Sequence, residues 1–481
     1  MAGERDGAER SSEEADSAAL RRPRKGSIFA SEVPPGAVCA DAMDGNLCAG
    51  QVSSPPMEIA TRQWSLARRL GLVFLVTLMA LYNGPIMVSA VPVLGELFVA
   101  GWMALASVLV PVFGGLLGLT EPIAMSVANS GDSLWSHVQL FGFAVISAFV
   151  ALVAAALDRS RIDHARLYAG LRVFLRYALA LAMFRYGFAK LVGSQFMAPN
   201  PITLSRTYGD SSPMGLLWTF MGYSPTYQAF SGLAEIAAGV LLLSRRTTAL
   251  GSLLACGVLA NVVMLNLCYD VPVKQFSAQL LLIAVLLVLH DARRLVDVFV
   301  RNRPVAAEPD PPGPGRTRQR VAWAAKGAFV TLVLVNVARA HLMTAEMQAQ
   351  AARGPLYGAW EVEFFALDGE ERRLRPDDAV RWRQLVIPAY PWALVRPVRG
   401  DATAFGYAYD ETAGTLTLTE HRDGEAHDYV LQASQPTPDQ LVLSGPIAQG
   451  DLHARLWRVP DDTSVLMART FRWIQEGNFN R

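Results

Sequence analysis

Residues 226–243 read TYQAFSGLAEIAAGVLLL, a run with one formal charge, Glu235, and Ser244-Arg245-Arg246 follows it directly. A bilayer core of about 30 Å needs about 20 apolar residues in a helix, so this stretch spans with its polar ends at the interface. An ionisable group at that depth costs roughly 2.5–3.5 kcal/mol on insertion scales and rarely faces lipid. Glu235 therefore predicts a lined cavity, a buried ion-pair network or a proton path. Further polar residues interrupt the apolar runs between Val173 and Leu289: Arg185, Tyr186, Lys190, Asn261, Asn266, Asp270 and Lys274.

The whole chain has the composition such spans require. It is 481 residues long and 52% hydrophobic, with a mean hydropathy of +0.25, which is too apolar for an ordinary soluble protein. The formal net charge is +1, from 43 Lys and Arg against 42 Asp and Glu. Arg and Lys gather in particular loops, a pattern that encodes membrane topology and not nucleic-acid binding. Cys39, Cys48, Cys256 and Cys268 show neither C-x-x-C nor zinc-like spacing, so neither a thiol relay nor a metal is expected. Residues 1–60 lack apolar periodicity and read as a disordered tail, whose basic run Arg21 to Lys25 is expected to be solvated. The first long apolar run begins only near Leu70, too late for a cleavable signal peptide.

Seven spans are expected, at about 70–90, 137–157, 171–191, 226–243, 247–267, 275–290 and 321–340. Arg62, Arg68 and Arg69 precede the first; Arg159, Arg161 and Arg166 follow the second; Arg245 and Arg246 follow the fourth; Arg293, Arg294, Arg301 and Arg303 follow the sixth. All four groups are cytoplasmic together only if the apolar stretch Phe98 to Leu119 does not cross. That stretch is accordingly read as a re-entrant or interfacial helix. The expected organisation is a cytoplasmic tail (1–60), an N-terminal membrane region (61–170), a four-helix core (171–300), a Pro/Gly-rich linker (301–320), a terminal helix (321–345) and an extracytoplasmic domain (346–481). In that last part Trp360, Val362 and Phe364 alternate with other residues, and Thr415-Leu416-Thr417-Leu418-Thr419 and Leu441-Val442-Leu443 follow between turn signals. Seven or eight regularly spaced strands predict an antiparallel β-barrel or sandwich.

The topology places the polar set in the outer half of the bundle. Tyr186 and Lys190 share a helix face, as do Asn266 and Asp270, and Pro272 breaks the turn between Asp270 and Lys274. Two readings stand. In one, Lys190 and Lys274 neutralise Glu235 and Asp270 while the asparagines bond across helices. In the other, the same groups line an outward-facing pocket in which Glu235 carries protons and Tyr186, Lys190, Asn266, Asp270 and Lys274 are ligand-binding candidates for an anionic or quinone-like head group. The loop from about 192 to 225 is rich in Trp, Phe and Met, including Gln195 to Pro201 and Trp218 to Tyr223, as a lid or interfacial helix would be.

Tyr186-Gly187 with Lys190, the block Gly209 to Trp218, Glu235 in its Gly-containing span, Arg245-Arg246-Thr247 and Asn266 to Lys274 resemble the DoxX-like bacterial membrane proteins. The resemblance implies a four-helix core over about 171–290. Ser130-Gly131-Asp132 and the terminal Arg472-Trp473-Ile474 resemble a larger uncharacterised subgroup of that family. Gly358-Ala359-Trp360 with Arg472 is similar to a lipocalin signature, which implies a basic side chain packed over the first-strand Trp. Relatives in the DoxX-like family are linked to terminal oxidases and sulfur-compound or thiol redox, which implies quinone-linked electron transfer. This chain lacks paired cysteines and a haem ligand pair, so redox chemistry would rest on a bound quinone or on a partner. The expectation is a multi-pass protein of a bacterial inner membrane acting as an accessory or binding module for a lipophilic or redox partner. A quinone-linked oxidoreductase is the alternative, and a transporter is disfavoured by the lack of an inverted repeat. Membrane lipids are the expected surroundings and nucleic acid is not an expected partner.

Overall fold

Backbone groups in hydrocarbon must bond within their own segment or in a closed barrel, and this chain uses helices for its apolar runs. A computed structural model describes residues 64–89, 91, 94–123, 131–157, 163–306, 316–350, 353–422, 424–460 and 463–468. The tail 1–60, the prolines of the 307–315 linker segment and Arg472 lie outside the described residues.

The helices are α1 (Leu66–Ser89), α2 (Leu94–Leu116), α3 (Leu134–Leu157), α4 (His164–Leu191), α5 (Pro201–Ser205), α6 (Pro213–Tyr223), α7 (Pro225–Leu243), α8 (Thr248–Cys268), α9 (Lys274–Phe299) and α10 (Arg316–Gln350), with a short α11 (Val465–Ala468) after the β-domain. Local chemistry sets several starts. Asn200, Ser212 and Ser224 each accept backbone N–H bonds from the first turn, and each is followed by proline at the first helical position, where the missing N–H costs nothing.

Eight described helices are long and apolar enough to cross a membrane, all but α5, α6 and α11. The expected number was seven, and the addition is α2, which forms one continuous helix through Pro111. It makes no net crossing with its following connection: Tyr82 and Ser89 at the end of α1 and Gly131 and Ser136 at the start of α3 line one cavity, so they share a face. On the opposite face Trp64 stacks against His164, with ring centroids 6.2 Å apart, and Tyr168 bonds His290 at 3.1 Å. The starts of α1 and α4 and the end of α9 therefore lie together, which brings Arg68, Arg69, Arg166, Arg293 and Arg294 to the same side. The helix α10 runs from that side, where Lys326 Nζ donates to Leu243 O at 2.6 Å, to the other, where His341 bonds Ser194 at 3.1 Å.

Strands β1 (Gly358–Leu367), β2 (Glu370–Glu371), β3 (Trp382–Ile387), β4 (Trp392–Pro397), β5 (Thr403–Asp410), β6 (Thr415–Arg422), β7 (Glu425–Thr437), β8 (Gln440–Ile447) and β9 (Gly450–Val459) follow. Successive strands pair antiparallel and β9 returns to β1, which closes an eight-stranded barrel with the two-residue β2 as an appendage of β1. Leu416 and Leu418 point inward between outward threonines, as their alternation predicts. In β1 the phase slips: a bulge between Val362 and Phe364 turns Phe365 into the core in place of the expected Phe364. The barrel interior is filled by Trp360, Phe365, Leu385, Leu416, Leu431 and Leu456 among others, so it is a packed core. The cation over Trp360 is Arg458, with its guanidinium 4.6 Å from the ring centroid. The barrel sits against the α4–α7 connection: Ile202 of α5 packs with Ala359 and Val386, the Arg396 guanidinium donates to Ser205 O, and Tyr390 O–H donates to Met197 Sδ at 2.8 Å.

Candidate functional site

The site starts from two glycines. A Cβ on Gly232 would fall 2.6 Å from Gly187 O, and one on Gly187 would fall 2.8 Å from Gly232 O, so only hydrogen lets α4 and α7 approach this closely. One helical turn from Gly187 stands Lys190, and next to Gly232 along α7 stands Glu235. Lys190 Nζ donates to both carboxylate oxygens, at 2.8 and 3.0 Å, and the two side chains are only 9% and 3% exposed. Two charges so far from water are tolerable only because they pair directly, with the ammonium bonded to both carboxylate oxygens.

The pair forms the polar end of a cavity of about 290 Å³ among α4, α6, α7, α8 and α9. Tyr186, Asn261 and Asn266 line it as well. Asn266 is 6% exposed, and its Nδ2 is buried with no hydrogen-bond partner, as is Oε1 of Gln195 in the same wall. Buried amides are normally satisfied, so a free donor and a free acceptor in one cavity mark a place built for a polar group. The remaining wall is apolar and aromatic: Phe196, Leu217, Trp218, Phe220, Tyr227 and Phe276. Phe196 and Trp218 meet edge-on at 5.1 Å, and Gln228 Nε2 holds Phe196 O at 3.0 Å. The aromatic loop between α4 and α7 is thus a packed cover over the cavity, with Phe196, Leu217, Met221 and Val271 in one cluster.

Of the residues expected to form the site, Tyr186, Lys190, Glu235 and Asn266 are brought together here. Asp270 and Lys274 are not. Asp270 is 84% exposed and pairs with Lys274 at 2.8 Å at the surface. Lys274 is instead part of a clip between α3 and α9 whose centre is Asp132: its carboxylate accepts the backbone N–H of Lys274 at 2.8 Å and of Gln275 at 2.9 Å. Gly131 N donates to Pro272 O at 2.8 Å. Asp132 thus caps a helix far along the chain, which no local spacing announces. The pairs Lys190–Glu235 and Lys274–Asp270 are those of the neutralisation reading, but its bonds from asparagine across helices are not made by Asn266 Nδ2; the pocket reading describes the first pair alone.

Arg185 faces away from this cavity into a second one, of about 680 Å³. Sequence patterning does not single out Arg172 and Arg176, whose Nε atoms are buried without a hydrogen-bond partner; the Arg176 guanidinium lies 5.1 Å from the Tyr177 ring centroid. Among the described residues no three His, Cys, Asp or Glu side chains converge as metal ligands. Cys256 and Cys268 are free thiols. The donor set of the first cavity, an ammonium and an amide N–H, suits a carbonyl-bearing head group such as a quinone.

No protein-family model matches the chain, and no solved structure matches it. It is 36% identical over 130 residues to the uncharacterized protein YwoB of Bacillus subtilis (strain 168), a match that covers 27% of this chain and 82% of that one. At this identity, over that share of the relative, the chain belongs to the same family as YwoB.

Proposed function

We propose that α4, α7, α8 and α9 form a DoxX-like binding module that takes the head group of a lipophilic, quinone-like molecule and serves a membrane redox partner. The observation that carries this reading is the cavity in which Lys190, Glu235 and the unpartnered Asn266 Nδ2 meet an aromatic wall. At about 290 Å³ it lies just below the roughly 300–1,000 Å³ usual for ligand pockets. It holds a head group and leaves an apolar tail to run out past Phe220, Tyr227 and Phe230, which are exposed and in successive ring contact, edge-on and then tilted. Carbonyl oxygens of the head group accept from Asn266 and from the Lys190 proton not given to Glu235.

A quinone-linked oxidoreductase is favoured by one observation, that the Glu235 carboxylate lines the cavity beside the donor groups, where it can accept a proton from a hydroquinone as the electrons pass to the redox partner. We place the protein in a bacterial inner membrane with the arginine-rich face cytoplasmic, by the excess of Arg in its loops, and the barrel on the extracytoplasmic side.

Lipid extraction and native mass spectrometry of the purified full chain test the reading. A co-purifying quinone should be present in the wild type and in Lys274→Met, and lost in Asn266→Leu and Glu235→Gln. Absence of any bound lipophile from well-folded wild type, also after incubation with ubiquinone or menaquinone, would overturn it.

A further inference from the structure

The second cavity lies on the far side of the Tyr186–Phe276 ring pair, whose centroids are 6.0 Å apart, and both rings line both cavities. It is more than twice the volume, about 680 against 290 Å³, and its walls come from α1, α2, α3, α4, α9 and α10. Its charge is unbalanced. Arg185 projects into it from α4, and among the described residues no carboxylate lines it. Asp132 stands next to Gly131 at the rim, but its oxygens are committed to the backbone of α9.

Arg185 sits six residues before the end of α4, about 9 Å along the helix axis. A guanidinium at that depth without a counter-charge is costly, and here neutral hydrogen-bonding groups surround it: Gln139, Gln275, Asn336 and His341. One edge of His341 is taken by Ser194 at 3.1 Å. The Gln275 amide bonds the Tyr82 hydroxyl and its Oε1 is buried with no partner, an acceptor for a further donor. The rest of the lining is largely apolar, including Leu81, Ile86, Phe143, Leu181 and Val337. A guanidinium fork, a free acceptor and an apolar wall match a phosphate diester, a hydroxyl and an acyl chain in turn.

We propose that this cavity binds one molecule of an anionic phospholipid, its phosphate on Arg185 and a head-group hydroxyl at Gln275, independently of the head-group site at Lys190 and Glu235. The volume accommodates a head group and the first part of a chain. A soluble phosphate would use Arg185 alike but would gain nothing from the apolar wall.

The full chain, purified in a neutral detergent and titrated by native mass spectrometry, tests this with phosphatidylglycerol, phosphatidylcholine of the same chains, and inorganic phosphate. Wild type should retain one phosphatidylglycerol at least tenfold more tightly than phosphatidylcholine. Arg185→Met should weaken that lipid by roughly tenfold or more, the range for a lost charge-assisted bond, and Arg185→Lys by less. Ala340→Trp keeps the charge and fills the cavity, so it should exclude the lipid even if Arg185→Met folds poorly. Asn266→Leu, which alters the first cavity without breaking its ion pair, should leave it bound. Equal retention of the two lipids, or full retention in Ala340→Trp, would overturn the proposal. Displacement by inorganic phosphate at concentrations matching the lipid would assign the site to a soluble anion and overturn it as well.

Discussion

Replacing Lys190 by Met removes the only cation among the described residues that is within bonding distance of a carboxylate that is 3% exposed. At an effective dielectric of about 20, unit charges 4 Å apart attract by roughly 4 kcal/mol, and this pair is closer. That gain is set against the loss of hydration by both ions, several kcal/mol each, so the pair as a whole adds little. Breaking one side of such a pair costs about 3–5 kcal/mol, whereas replacing both partners by apolar groups of similar size is close to neutral or stabilising. Lys190→Met and Glu235→Leu should therefore each destabilise the full chain by about 3–5 kcal/mol, and the double variant should lie near wild type. The assay is equilibrium unfolding in mixed micelles, read as a double-mutant cycle. Additive single effects, within about 0.5 kcal/mol, would refute the claim that these two groups form one desolvated unit.

Three further outcomes follow from other contacts. Gly232→Ala drives a methyl into Gly187 O and the Leu191 backbone, so α4 and α7 must separate at a cost of about 1–3 kcal/mol, seen as loss of thermal stability and of any ligand held at the pair. Asp132→Ala strips the acceptor from two N–H groups at the start of α9, a loss of about 0.5–2 kcal/mol that faster amide exchange at Lys274 and Gln275 should report, while Lys274→Met should cost no more than about 1 kcal/mol. In the barrel, burial pulls the Asp378 carboxyl upward, but the N–H groups of Arg381 and Val380 and the guanidiniums of Arg372 and Arg381 outweigh it and hold it below the usual carboxylate range. A depressed folded value gives stability that is present above the ordinary pKa of about 3.9 and is lost as pH falls below it. Asp378→Asn should accordingly flatten the acid side of the barrel's pH–stability curve, measured by the near-ultraviolet signal of its tryptophans.

Local patterning carried the helices and most strands, because an apolar run of bilayer length and a strict Thr-Leu alternation each admit one structure. It also located the buried pair, since a lone Glu in an apolar span must find a cation and Lys190 is one of few. What it could not resolve depends on distances between segments. Asp270 and Lys274 look like site residues because they end apolar helices, yet a clip from Asp132 draws them to the surface. The bulge that exchanges Phe364 for Phe365 is set by pairing with β9. The length of α2 satisfies every criterion for a span, and it is the charge of the flanking loops, matched by the cavity shared between the end of α1 and the start of α3, that tells of the chain's return to the face it left. Glycines 187 and 232 look ordinary in the sequence because their shared reason is each other's backbone.

The cover over the first cavity is fastened from two directions. From within, Gln228 grips the carbonyl of Phe196; from without, the barrel grips Met197 and Ser205. A surface loop breathes in nanoseconds to microseconds. A segment stitched on both sides opens only when one set of bonds breaks first, so exchange at the Lys190–Glu235 cavity is a slow, activated event. For the head group proposed there, residence time would govern occupancy, and the barrel, none of whose described residues lines the cavity, would help set that clock.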